Sequence, residues 1–166
     1  IDDPAKGVRK FRHGTTLHGA TRLADLTGAP HRALPLTYYT SDGGITLAID
    51  AARQNQGGKL KQVGVIGLGA GSLACQFRVG EKMDFFEIDP AVVRIAQDTR
   101  QFRFLSECGR DAKMIIGDGR IEIAEKEPGR YDVLVVDAFS SDSIPVHLMT
   151  REAIELFMQR LKPEGL

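Results

Sequence analysis

From Lys59 onward, short apolar runs recur along the chain, each followed by a turn and a helical pattern. The runs are Gln62–Ile66, Lys82–Ile88, Lys113–Ile116 and Tyr131–Val136. Helical spacing follows the first run as far as Arg78, and then recurs from Pro90 to about Gln97, Arg120 to Lys126 and Thr150 to Leu161. Asp89 before Pro90 is a cap residue followed by proline at a first helical position, which starts a helix. Strands buried on both faces and alternating with helices predict a parallel, doubly wound sheet. Residues 1–58 have a different texture, with Gly, Thr, His and Pro among short β-prone stretches. Phe11–Leu23 predicts a strand or hairpin, and Ile45–Arg53 an amphipathic helix ended by Gly57-Gly58. The chain thus divides into a small β-rich N-terminal region with a helix (1–58) and a Rossmann-like domain (59–166). Lys162-Pro-Glu-Gly-Leu166 reads as the turn into a fifth strand, and the first residue is Ile1. A domain lacking its C-terminal strands, cut from a longer chain, is therefore expected.

In open parallel sheets, ligands bind outside the carboxyl ends of the strands. Here those ends carry Gly67–Gly71, Glu87–Asp89, Gly117–Gly119 and Asp137. Gly67, Gly69 and Gly71 form a GxGxG turn, where a side chain would block a ligand's approach to the backbone. Glu87 lies 20 residues after Gly67, the spacing at which an acid accepts hydrogen bonds from ribose hydroxyls. The dinucleotide fingerprint fails because Ser72 stands where its third glycine belongs, and no Walker-type Lys-Ser/Thr follows the loop. The tighter loop and Asp118 fit a Rossmann-like fold of the S-adenosylmethionine-dependent methyltransferase type. Asp118 reads two compatible ways: an acceptor for an adenine amine, or the cap of the helix near Arg120.

Composition narrows the classes. The 166 residues carry 22 Lys+Arg and 22 Asp+Glu, a net charge of zero, which removes the electrostatic case for a nucleic-acid partner. No apolar run approaches the roughly 18 residues of a membrane span, and no secretory leader opens the sequence, so a cytoplasmic setting is expected. With only Cys75 and Cys108, no disulfide scaffold is expected; Cys75 reads as a small core residue and Cys108 as a loop thiol. His13, His18, His31 and His147 lack metal-ligand spacing, so neither a metal nor a prosthetic group is expected. Phe102, Phe104 and Leu105 read as core or dimer packing.

Tyr131-Asp-Val-Leu-Val-Val-Asp-Ala-Phe-Ser-Ser-Asp142, Phe85-Phe-Glu-Ile-Asp-Pro90, Ile116-Gly-Asp-Gly119 and Ile144-Pro-Val-His-Leu148 together resemble the spermidine synthase (polyamine aminopropyltransferase) family. His13-Gly-Thr-Thr-Leu-His-Gly19 and Pro35-Leu-Thr-Tyr-Tyr39 extend the resemblance over nearly the whole chain. It implies transfer of an aminopropyl group from decarboxylated S-adenosylmethionine, as co-substrate, to a polyamine such as putrescine. It further implies that Glu87, with Ile88 beside it, holds the ribose, and that Asp118 and Gly119 hold the adenine. By the same resemblance Asp137 sits beside the attacking amine, Asp142 is the second acid of that loop, and Tyr38 or Tyr39 lines the substrate entrance. A protonated amine cannot attack carbon until it loses a proton, which a nearby carboxylate accepts. A homodimer covering an apolar edge is also expected.

The resemblance departs at several positions. Ala70 occupies the place of a loop aspartate that binds the donor's amino end. His18-Gly-Ala-Thr-Arg22 stands for an Asp-Gly-x-x-Gln signature, Asp137 and Asp142 are five residues apart instead of three, and Thr40 follows Tyr39 where a glutamate is usual. An S-adenosylmethionine-dependent methyltransferase and a non-catalytic nucleoside-binding domain therefore remain as alternatives.

Overall fold

A computed structural model describes residues 1–27, 33–139 and 145–166. His31 and Asp142 lie outside the described residues. The N-terminal region is a three-stranded antiparallel sheet in the order β1 (Asp2–Asp3), β2 (Val8–His13), β3 (Thr16–Arg22). Gly14, at φ +58°, makes the tight turn that pairs His13 with Thr16, so the Phe11–Leu23 segment forms the hairpin its pattern predicts. Two helices follow, α1 (Leu23–Leu26) and α2 (Gly44–Asn55).

The second sheet is wholly parallel, in the order β6-β5-β4-β7, from β4 (Gln62–Ile66), β5 (Lys82–Glu87), β6 (Lys113–Ile116) and β7 (Val133–Val136). The chain runs outward from β4 through β5 to β6 and then returns to place β7 on the other side of β4. The direction of winding therefore reverses between β4 and β7, where such sheets open a crevice. Helices α3 (Pro90–Gln97), α4 (Phe104–Cys108), α5 (Gly119–Ala124) and α6 (Arg151–Arg160) flank the sheet, with two short 3-10 turns, Ser72–Gln76 and Val146–Leu148. Asp89 caps α3 by accepting from Ala91 N, and Asp118 caps α5 by accepting from Arg120 N and Ile121 N.

Strand periodicity sorts the core onto two faces. Val63, Val65 and Phe85 point to one face with Ile49, Leu73, Phe102, Phe104 and Leu105, while Ile66 and Phe86 point to the other with Ile123, Tyr131 and Phe157. Phe11 and Tyr39 join the first cluster, so the hairpin region and the parallel sheet share apolar packing. Arg53 of α2 forms a bidentate ion pair with Glu81, both side chains almost fully buried, at 2.8 and 2.9 Å.

Two sequence readings need correction. The helix predicted through Arg78 is a short 3-10 turn, Ser72–Gln76. The Gln76 carbonyl accepts from Arg53 and the Arg78 N–H donates to Glu81, so groups that would continue the helix are engaged elsewhere. Second, Cys75 and Cys108 are not separate thiols: they form a disulfide, with Cα atoms 4.9 Å apart. Helix α4 packs on the 3-10 turn with Gly109 close against Ala74, which brings together two cysteines separated by 33 residues. Disulfides persist in oxidising settings or serve redox roles, so the reduced thiols of the cytoplasmic expectation do not match this pair. Of the two alternatives for Phe102, Phe104 and Leu105, core or dimer packing, the structure has them buried in the core of the chain.

At the end of the chain, Leu166 lies along the free edge of β7, donating to Asp132 O at 3.0 Å and accepting from Leu134 N at 2.8 Å. Among the described residues, no helix is long and apolar enough to cross a membrane, and no cluster of three or more His, Cys, Asp or Glu is arranged to hold a metal.

Candidate functional site

A cavity of about 530 Å³ opens at the carboxyl ends of β4, β5, β6 and β7 and is closed on one side by β3 and the segment before α2. Gly67, Gly69, Glu87, Ile88, Asp118, Gly119, Asp137, Tyr38 and Tyr39 all line it. Gly71 does not; Asp142 lies outside the described residues.

Packing also requires the glycines of the loop. Gly67, Gly69 and Gly71 all have positive φ, at +102°, +55° and +79°, a region that side chains resist. A Cβ on Gly67 would run into the Asp137 carbonyl, one on Gly69 would lie 2.6 Å from the His18 carbonyl, and one on Gly71 would lie 2.7 Å from Leu105 Cγ. The space a side chain would need is filled by protein. The loop is therefore clamped between β3 and the end of β7, and Gly67 allows the Asp137 backbone to come close. Asp137 N also donates to Ile66 O at 2.8 Å, which fixes the position of this acid relative to β4.

Glu87 ends β5 and is largely buried. Its Oε2 accepts from Leu68 N at 3.1 Å and its Oε1 from Asp89 N at 3.0 Å. Each oxygen retains a lone pair for a second donor, so the carboxylate is oriented and still able to accept from a pair of vicinal hydroxyls. Asp118 is divided differently. Its Oδ1 caps α5, and its Oδ2 is 3.0 Å from His147 Nε2. The capping reading of Asp118 is thus realised, and it leaves Oδ2 toward the cavity.

At the end of β7, the Tyr39 hydroxyl donates to Asp137 Oδ2, joining residues 98 apart in sequence. Burial raises the Asp137 carboxyl above the usual carboxylate range, and the Tyr39 hydrogen bond opposes that rise in part. Burial, followed by the neighbouring Asp137 charge, pushes the Tyr39 phenol well above its ordinary value, so the phenol remains a donor. Gln76 Nε2 donates to Tyr39 O at 2.6 Å and holds the tyrosine backbone in place. Tyr38 is exposed at the rim. Ala70 is fully buried, its N–H donates to His18 O at 3.0 Å, and its Cβ fills the space beside Gly19. No side chain at position 70 reaches the cavity.

Sequence reasoning passed over His147, treated there only as a metal candidate, and the β3 residues Thr16, Leu17 and His18, which form one wall. The only signal for His147 was its place in the Ile144–Leu148 motif; its partner Asp118 is remote in sequence.

No family model matches the chain. Over 113 residues it is 35% identical to a polyamine aminopropyltransferase of Vibrio vulnificus, a match covering 65% of this chain and 36% of that protein. Over 111 residues it is 28% identical to putrescine N-methyltransferase 4 of Nicotiana tabacum, covering 64% of this chain and 28% of that protein. The chain thus spans about a third of the length of the curated relatives it matches. Among solved structures, a probable spermidine synthase from Corynebacterium glutamicum matches 94% of this chain and 57% of its own, with a TM-score of 0.61 and 20% identity. The spermidine synthase from Thermotoga maritima matches 71% of this chain and 40% of its own, with a TM-score of 0.55 and 21% identity. The fold is the Rossmann-like, methyltransferase-type α/β fold shared with these proteins. Within that class, the chain is similar in sequence to a polyamine aminopropyltransferase and in fold to spermidine synthases.

Proposed function

We propose that the cavity binds the adenosine part of decarboxylated S-adenosylmethionine and that Asp137 takes the proton of an attacking polyamine such as putrescine. The protein is on this reading an aminopropyltransferase-like enzyme. The observation that carries it is the convergence of Glu87, Asp118 and Asp137 on one cavity, each from a different strand end. Glu87 accepts from the ribose hydroxyls and Asp118 from the adenine amine. Asp137 meets the amine at the winding reversal. A carboxyl raised by burial is a better proton acceptor than an exposed one, and its hydrogen bond from Tyr39 fixes which lone pair faces the nucleophile. The Vibrio vulnificus relative supports the aminopropyl reading through its name.

A second reading has one specific support. The buried Ala70 offers no acid to the donor's amino end, and the Nicotiana tabacum relative is named for methyl transfer to putrescine. Both readings place the same nucleoside and the same amine, and differ in which group leaves the sulfonium.

A thermal-shift panel separates them, because a ligand that binds the native state raises the unfolding midpoint by mass action. Decarboxylated S-adenosylmethionine and methylthioadenosine should stabilise the protein more than S-adenosylmethionine and S-adenosylhomocysteine. A shift with the latter pair alone would favour methyl transfer. No shift with any of the four would leave a non-catalytic domain. Asp137→Asn should abolish transfer while leaving methylthioadenosine binding intact.

A further inference from the structure

We propose that Gln76, which lies outside the cavity lining, is a positioning residue that sets the Tyr39 hydroxyl on Asp137. Its consequence for the reaction rests on the reading of Asp137 as proton acceptor, but the path itself stands on contacts between named atoms. Residues 33–43, which bring Tyr39 to the cavity, form no helix or strand. Tyr39 is nevertheless buried, so its backbone carbonyl needs a donor from elsewhere in the fold. Among the described residues that donor is Gln76 Nε2 alone, at 2.6 Å.

Gln76 ends the 3-10 turn Ser72–Gln76, and its own backbone is anchored on the opposite side. Its carbonyl accepts from Arg53 Nη2 at 3.1 Å, and Arg53 is held in the buried bidentate pair with Glu81. At the far end of the side chain, Oε1 lies 3.2 Å from Thr46 Oγ1, and the same hydroxyl donates to Thr40 O at 2.8 Å. The amide thus has its oxygen on α2 and its nitrogen on the Tyr39 backbone. A carboxylate in its place would set acceptor against acceptor, and an apolar chain would leave the Tyr39 carbonyl buried and unpaired. Either change releases the Tyr39 backbone from the 3-10 turn, and the hydroxyl that reaches Asp137 moves with it.

The other titratable groups lining the cavity are Glu87 on β5, Asp118 capping α5, His18 on β3, His147 on the turn Val146–Leu148, and Tyr38 beside Tyr39. The Tyr39 hydroxyl is the group bonded to Asp137, and that bond opposes the rise caused by burial. A displaced Tyr39 therefore reads out at the Asp137 carboxyl, which a merely structural role of Gln76 would not move.

The test is a double-mutant cycle read by carboxyl NMR titration of the full chain. It compares the wild type, Gln76→Met, Tyr39→Phe and the double variant, with the Asp137 signal identified by its loss in Asp137→Asn. Gln76→Met should raise the Asp137 pKa, as Tyr39→Phe does, and should add nothing in the Tyr39→Phe background. Gln76→Glu in the same cycle answers the question if the methionine variant does not fold. Its charge acts on Asp137 in both backgrounds, so the excess rise seen with Tyr39 present reports the path through the phenol. An unchanged Asp137 pKa in a folded Gln76→Met, or an equal rise with and without the Tyr39 hydroxyl, would overturn the role of Gln76, whatever the unfolding midpoint does. The expected coupling in a protein that transfers no group to putrescine would uphold the positioning and overturn the proton-acceptor reading.

Discussion

In the proposed reaction, Asp137 is the residue that takes the proton. Its carboxyl is raised by burial, so the native state holds its proton more tightly than the unfolded chain does. The stability this contributes is fully present below the unfolded value of 3.8 and is lost as pH rises through the folded value. Asp137→Asn should therefore match the wild type in urea-denaturation stability at the acid end and exceed it near neutral pH. Equal stability across the range would contradict the burial argument. Tyr39→Phe removes the one hydrogen bond that opposes the rise, so the Asp137 pKa should move further up in a carboxyl NMR titration, and a fall would contradict the pairing. The sequence made Glu87, Asp118 and Asp137 legible because each ends an apolar run, and a strand end is readable from pattern alone. The Tyr39–Asp137 and His147–Asp118 contacts were not legible, since each joins segments whose approach depends on how the hairpin region and the β7–α6 connection fold over the sheet.

Among the elements, the loop after β4 shows where pattern reading reaches its limit. Its glycines were visible, but what a side chain there would meet was not: the His18 carbonyl, the Asp137 backbone and Leu105, all remote in sequence. Gly69→Ala should destabilise the fold by about 1–3 kcal/mol, from the strained backbone and the contact with His18, as read from the urea midpoint. A neutral result would show that the loop is free to move. The helix predicted after this loop is cut short because Arg53 and Glu81 capture its end, and neither residue carries a local signal for that. The disulfide closes the same neighbourhood, joining the 3-10 turn to α4. Replacing Cys75 and Cys108 by serine together should lower stability by about 2–4 kcal/mol, given a closed loop of 33 residues. A midpoint unchanged by the replacement, or by a reducing agent, would show that the bond does not form in solution.

For the whole molecule, the alternation of strands and helices was enough to predict a parallel sheet, because buried strands at regular spacing admit few other arrangements. The same logic placed the ligand end of the sheet before any side chain was located. Zero net charge leaves the work of recognition to the local acids, and the structure gathers three of them around one cavity at the winding reversal between β4 and β7. The central claim is that this cavity holds an adenosine thioether through the Glu87 carboxylate. Isothermal titration of 5′-methylthioadenosine into the wild type and Glu87→Gln tests it directly. The account predicts saturable one-site binding by the wild type and affinity weakened at least about tenfold in the variant, the scale of a lost charge-assisted hydrogen bond. No binding by the wild type, or equal affinity in a folded Glu87→Gln, would contradict it.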